Sequence, residues 1–346
     1  MLDVRSENIK VETAVLVLNW QGEKLIKDCL DALRDQSYKN FLAVVADNAS
    51  TDASVDIIRF DYPDVLLYDF KENYGFARGN NEAIELLFKA YSELKYVVLL
   101  NNDTKVEKQW LNELVSMAES DPKIGSVASQ LLCWDGEHEP TVIDSAGDMF
   151  FKHGVAGKRG YGKPRDTYTD DTGVFGACAG AALYRVDALK ETGLFDPDFF
   201  AYNEDVDLAF RLRLRGWGCR FAHKAAVWHR VGFSTTKYSD RALYWAKRNS
   251  LWVVWKDFPT PLLWRYGIGI FLYAFLSDLL WTFRGRLKPI WKGRRDAFRA
   301  KDRLRSQRKE IQANCAVSAE ELTKLMILKT PWMESILRNL KDPRAK

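Results

Sequence analysis

The sequence predicts an α/β protein, with a mostly parallel central sheet flanked by helices and a C-terminal helical extension. Three observations predict it. Short, very apolar runs of buried-strand type recur through the first hundred residues, and helical patterns separate them. After about residue 238 the strand signals stop and the composition turns apolar and Trp-rich.

The strands are TAVLVLNW (13–20), FLAVVADN (41–48), VLLYDF (65–70) and YVVLLNND (96–103). Helical periodicity lies between them, near 23–36, 53–60 and 76–92. Sheets of this kind bind ligands beyond the carboxyl ends of their strands. Three of those ends are polar: Asn19, then Asp47 with Asn48, then Asn101, Asn102 and Asp103. They should converge on one crevice. Residues 135–172, rich in Gly, Asp, Lys and Thr, read as strands or loops inserted before the next unit. GVFGACAGAALYR (173–185) mixes small with apolar residues, which suits backbone packed closely against a ligand or a neighbouring element. EDVDLAFRLRLRG (204–216) predicts a helix with Leu208, Leu212 and Leu214 inward and Gly216 as its stop. CRFAHKAAVWH (219–229) reads as the last strand of this domain, which is placed at 1–237.

The extension, 238–346, contains LWVVWKDF (251–258) and LLWRYGIGIFLYAFLSDLLWTF (262–283), interrupted by Pro259, Pro261, Arg265 and Asp278. Its longest uncharged run, Tyr266 to Ser277, is 12 residues, against roughly 20 for a spanning helix. An interfacial or re-entrant segment is expected rather than a span. Between Arg284 and Lys309 stand twelve Lys or Arg against two Asp, a local balance of +10 within a chain of net charge +4. A basic block beside Trp and Tyr suits the anionic surface of an inner membrane. The other reading is a buried helix beneath a solvated basic one. The block alone does not imply a nucleic-acid partner, and nothing else in the chain points to one.

Length and composition agree with this. The chain has 346 residues, 47% hydrophobic and 28% charged, which excludes a disordered protein. Five scattered cysteines without a C-x-x-C pair argue against a disulfide framework or a zinc site, and suit a reducing cytoplasm. MLDVRSENIK lacks the apolar core of a signal peptide.

Several residues carry candidate chemistry. Asp103 ends a strand and offers a carboxylate to Mg²⁺ or Mn²⁺, ions that prefer oxygen ligands, or it caps a helix near 107. Asp47, in VVADNASTDAS, can accept a hydrogen bond from a nucleobase, or belong to a turn whose cap is Asp52. Arg78, in NYGFARGNN, starts a helix where free N–H groups favour an anion, or forms a surface ion pair. Glu204, Asp205 and Asp207 stand at a helix start, where they complement the dipole; Asp205 also follows a Phe- and Tyr-rich approach that can exclude water. His229 lies at a strand end, as a ligand or a structural histidine.

In order, VLNW, VVADNASTDAS, NYGFARGNN, LLNNDT, GACAGAALYR, GLFDPDFFAYNEDVDLAFRLRLRGW and VWHRVGFS resemble the motifs of family 2 of the inverting glycosyltransferases. Within it the chain is similar to bacterial rhamnosyltransferase-like members, from about Val11 to about Val254. The resemblance implies the Rossmann-like GT-A fold and transfer of a sugar from a nucleotide diphosphate to a glycan or lipid-linked glycan. It implies Asp205 as catalytic base, Asp47 on the nucleobase and Arg78 near the phosphates or sugar; Asn19, Asn48 and Asn102, at the same strand ends, are placed on the donor with them. It further implies Gly180, Tyr202 and Glu204 in the acceptor or sugar pocket, and Asn101, Asp103 and His229 on the metal. The chain departs from the family's Asp-x-Asp in having Asn-Asn-Asp, which removes one charge from the metal site. dTDP-rhamnose is the leading donor and UDP-hexoses come next. Rival readings are a nucleotidyltransferase, disfavoured by a first loop (NWQGEK) poor in Gly and basic residues, and a silent nucleotide-sugar-binding module.

Overall fold

A computed structural model describes residues 11–230 and 239–326. The expected boundary at 237/238 lies outside the described residues. The chain alternates β1 (Thr13–Asn19), α1 (Ile26–Arg34), β2 (Leu42–Asp47), α2 (Ser54–Asp61), β3 (Leu66–Asp69), α3 (Gly75–Ala90) and β4 (Tyr96–Asn101). There follow β5 (Thr104–Val106), α4 (Trp110–Glu119) and β6 (Ile124–Cys133). The polar insertion forms β7 (Ile143–Ser145), a hairpin of β8 (Asp148–Phe151) and β9 (Val155–Lys158), and the short β10 (Thr172–Gly173). β11 (Ala181–Arg185), α5 (Val186–Thr192), α6 (Glu204–Leu214) and β12 (Gly218–His229) complete this part. The extension is helical: α7 (Asp240–Asp257), α8 (Thr260–Phe283), α9 (Leu287–Arg299), α10 (Lys301–Ala313) and α11 (Ala319–Lys324).

The strand order is β10-β12-β6-β11-β4-β1-β2-β3. β1, β2, β3 and β4 pair in parallel, and β11 runs antiparallel between β4 and β6. Ala14 and Leu16 of β1 enter one buried layer while Val15 and Val17 enter the other. That is why the strand is an unbroken apolar run instead of an alternating one. Register then places the polar ends side by side, with Asn19 opposite Asp47 and Leu18 opposite Asn101. The helix expected near 107 begins only at Trp110, because β5 intervenes and pairs with β12. Asp103 is therefore at a strand junction and caps no helix.

A third apolar cluster joins Phe150, Phe199 and Phe210 to Trp252, Phe258 and Leu304 of the extension. Buried ion pairs reinforce it: Lys256 Nζ lies 2.7 Å from Asp196 and 2.5 Å from Asp207, and Arg211 lies 2.8 Å from Asp207.

Arg265 and Asp278, which interrupt the apolar segment in the sequence, lie within one continuous helix of 24 residues, α8. It is long and apolar enough to cross a membrane by length and composition. Its charge is accommodated sideways: Asp278 lies 2.8 Å from Lys247 of α7 and 2.6 Å from Arg294 of α9. Leu262, Ile270 and Trp281 are buried against the protein. Trp264, Ile268, Phe271, Phe275, Leu279 and Phe283, at steps of three or four, expose one apolar stripe, and Leu287, Trp291 and Phe298, on α9, are exposed as well.

Candidate active site

At the carboxyl ends of β1, β2 and β4 three side chains form one hydrogen-bonded chain. Asn102 Nδ2 donates to Asn19 Oδ1 (2.8 Å), and Asn19 Nδ2 donates to Asp47 Oδ1 (2.7 Å). Asp47 is fully buried and also accepts from the Ser50 hydroxyl (2.7 Å) and the Ser50 amide (2.8 Å). Gly22 is required beside this chain, since a Cβ there would lie 2.6 Å from Asn102 Nδ2. Asn48 staples the loop ahead of α3, donating to the Gly75 carbonyl (3.0 Å) and accepting from the Tyr74 amide (2.9 Å). Asp52 accepts from the Ser54 and Glu23 amides, holding the start of α2 against the β1–α1 loop.

The second group assembles at the ends of β4 and β12. His229 Nε2 lies 3.5 Å from Asp103 Oδ1, and His229 Nδ1 lies 3.0 Å from Asp144 Oδ2. Asp144, on β7, is fully buried and is held by Lys158 of β9 at 2.7 Å. Burial disfavours the charged imidazolium, but the hydrogen bonds and charges of Asp103 and Asp144 outweigh it, raising His229 to about 9. Burial likewise opposes the Asp144 carboxylate, and His229 and Lys158 overcome it, holding Asp144 below the usual range. Asp103 and His229 would fit a divalent cation that takes the place of the Nε2 proton, with one hard oxygen and an imidazole whose second nitrogen is already fixed by a carboxylate. Among the described residues no group of three or more His, Cys, Asp or Glu gathers as a complete ligand set. A third protein ligand would come from other residue types, and Asn101, two residues before Asp103, is the candidate its motif offers. Gly180 makes room for it, as a Cβ on Gly180 would lie 3.2 Å from Asn101 Nδ2.

Asp205, in the first turn of α6, is half-buried. The Ala179 amide donates to Oδ2 (3.3 Å) and the Val206 amide to Oδ1 (2.9 Å). The small-residue segment thus packs its backbone against this carboxylate. Burial raises Asp205 above the ordinary carboxylate range, and its backbone hydrogen bonds moderate the shift. Glu204 and Asp148 are buried nearby, and both are held well above that range, first by burial and next by the charge of Asp205. Asp148 Oδ2 has no hydrogen-bond partner among the described residues. Tyr202 precedes them with φ 71°, its ring stacked 6.3 Å from that of Trp245.

Arg78 is exposed, 4.0 Å over the Tyr74 ring and 3.2 Å from Glu82, the local ion pair that was one of its two expected roles. The first-turn amides of α3 are also engaged, since Phe76 and Ala77 both donate to the Phe200 carbonyl (2.7 and 3.1 Å). Sequence reasoning did not single out Asp144, Asp148 or Lys158, all within the insertion read only as strands or loops. The one signal was DMFF at β8, where Asp148 takes a position that strand alternation gives to buried side chains; Asp144 lies on β7, buried along its whole length, and carried no such signal.

An α/β sheet whose strand ends gather amides, carboxylates and a histidine, with a half-buried Asp at a helix start beside them, is the architecture of a nucleotide-sugar transferase. The profile of Glycosyl transferase family 2 matches residues 14–193, over half of the 346, and the chain belongs to that family. It is 26% identical to the N-acetylglucosaminyl-diphospho-decaprenol L-rhamnosyltransferase of Mycobacterium tuberculosis, over 71% of this chain and 87% of the relative. Its fold is similar to that of GalNAc-T7, solved with UDP, GalNAc and Mn²⁺ (TM-score 0.59, 15% identity, 97% of this chain and 58% of the other). It is also similar to S. aureus TarS 1-349 in complex with UDP-GlcNAc (TM-score 0.54, 15% identity, 90% and 91%). These are glycosyltransferases of the GT-A fold.

Proposed function

We propose that this chain is a metal-dependent, inverting hexosyltransferase that moves L-rhamnose from dTDP-rhamnose to a lipid-linked glycan, in the synthesis of bacterial cell-surface polysaccharide. The observation that carries the chemistry is Asp205, a half-buried carboxylate at a helix start whose backbone partners orient it while burial raises its proton affinity. Similarity to a rhamnosyltransferase that acts on a diphospho-decaprenol carrier supports the donor and the acceptor class.

Asp205 accepts the proton of the acceptor hydroxyl. The oxygen's electron pair forms the new bond to C1, and the C1–O bond to the diphosphate breaks with its pair leaving on the diphosphate. One base and one displacement invert the anomeric centre. Asn101, Asp103 and His229 would hold Mg²⁺ or Mn²⁺, which when bound offsets the charge of the departing diphosphate. Asn101 contributes no charge there, so Asp103 is the single carboxylate of its motif, and Asp144 keeps Nε2 of His229 turned toward it. Asn19, Asp47 and Asn102 shape the nucleotide end of the crevice. α8 lies along the cytoplasmic face of the inner membrane, its outer stripe in the lipid interface and the exposed basic residues of α9 and α10 on anionic headgroups.

A donor panel read by mass spectrometry tests this. Wild-type protein is expected to release dTDP from dTDP-rhamnose, and Asp205→Asn to release none while still binding the donor. Turnover of UDP-hexoses with none of dTDP-rhamnose would refute the donor. Substantial turnover by Asp205→Asn would remove Asp205 as the base.

A further inference from the structure

The segment leading into Asp205 takes a backbone path that non-glycine residues rarely adopt. Phe200 sits at φ 64°, ψ −61°, with the Ala201 amide bonded back to the Phe199 carbonyl at 2.8 Å. This is a γ-turn of the positive-φ kind, the rare and strained form. Tyr202 (φ 71°) and Asn203 (φ 65°, ψ 7°) follow in the left-handed region, and the next residues open α6 with Glu204 and Asp205. Conformations of this sort persist only where the surroundings over-determine them.

What over-determines this one comes from the extension. Asn249 of α7 is fully buried, and its Nδ2 donates to the carbonyls of Phe199 (3.1 Å), Ala201 (2.9 Å) and Tyr202 (2.6 Å). Its Oδ1 accepts from Arg248 Nε (2.8 Å), which keeps the amide nitrogen turned toward the loop. Trp245, one turn earlier on α7, stacks on the Phe200 ring at 4.8 Å. The Phe200 carbonyl, turned outward by the γ-turn, meets the first amides of α3.

We propose that Asn249 is a positioning residue for Asp205: its amide gathers three carbonyls of the 199–202 loop and so fixes where α6 begins and where its first-turn carboxylate points. The extension is then part of the catalytic assembly as well as a docking element. This rests on the reading of Asp205 as the base.

The test uses the full chain and dTDP-rhamnose. Asn249→Ala is expected to lower kcat by about ten- to a hundredfold, the scale of a small misplacement of a reacting group. Its affinity for dTDP-rhamnose should stay at the wild-type value, because the hydrogen bonds that join Asn19, Asp47 and Asn102 share no group with the three carbonyls that Asn249 holds. Asn249→Asp, which puts a carboxylate against three carbonyls, should lose more. Asn249→Ser, which keeps one donor, should fall between wild type and Asn249→Ala, and it carries the same comparison if the alanine variant does not fold. An unchanged kcat overturns the proposal. So does a loss of donor affinity parallel to the loss of kcat, since the residue would then be holding the whole fold. Asp205→Asn is assayed alongside: if it is active, the assignment of the base fails, and that failure is seen separately from any effect at Asn249.

Discussion

Replacing Trp264 and Phe271 together by serine should detach the protein from anionic vesicles without destabilising it. Both side chains lie on the outer face of α8, 86% and 68% exposed. Most of their apolar surface is left uncovered by the fold and is available to lipid. Burying a large apolar side chain stabilises by about 1.5–3 kcal/mol, so even the lower figure for each residue gives about 3 kcal/mol for the pair. At about 1.4 kcal/mol per tenfold, the membrane partition coefficient should fall roughly a hundredfold. The assay is co-sedimentation of the full chain with vesicles of phosphatidylglycerol and phosphatidylcholine, with thermal unfolding measured in parallel.

Salt separates the two contributions to binding. Arg286 directly precedes α9 and Lys288, Lys292 and Arg295 lie along it, and basic residues near an anionic surface contribute about 1 kcal/mol each. High salt should weaken the wild-type protein by screening that part, while the serine variant should be almost wholly salt-labile. Wild-type binding by the double serine variant would refute the stripe as the contact. A fall in Tm equal to the loss of binding would show that these rings pack in the fold, contrary to their exposure.

Two further predictions concern buried charge. Asp148 is held well above the usual carboxylate pKa by burial and by Asp205, so the folded protein binds its proton more tightly than the unfolded chain does. Its cost to stability is therefore present at high pH and disappears as pH falls through the folded pKa toward about 4, the unfolded value. Asp148→Asn should be more stable than wild type at alkaline pH, with the two Tm curves converging on acidification; parallel curves would contradict this. Lys256→Met removes the partner that Asp196 and Asp207 share between the extension and the sheet domain. Arg303 and Arg211 still attend those carboxylates, so the loss should sit at the lower end of the ~3–5 kcal/mol for breaking a buried pair. A Tm lowered by several degrees is expected, and an unchanged one would mean the lysine is dispensable.

The crevice was legible because strand pairing converts sequence order into space with few choices. Once β1, β2 and β4 are buried on both faces and parallel, their polar ends must align, and Asn19, Asp47 and Asn102 meet within hydrogen-bond distance. The first-turn position of Asp205 and the strand-end position of His229 followed from helix and strand signals in the same way. What stayed hidden depends on side chains reaching across elements with no periodic relation. Asp144 and Lys158 act on His229 from an insertion whose short strands carry little pattern. The amides of α3 looked available to an anion until a turn more than a hundred residues later supplied the Phe200 carbonyl. Asp278 looked like a break in the apolar segment because its partners, Lys247 and Arg294, lie on two other helices. Asn249 is the sharpest case. As an Asn in the middle of a helix it has poor propensity and no motif, and its place there makes physical sense only once three carbonyls from a left-handed loop converge on it. Residues that break a local rule while fully buried therefore mark where the sheet domain and its extension hold each other in a working geometry.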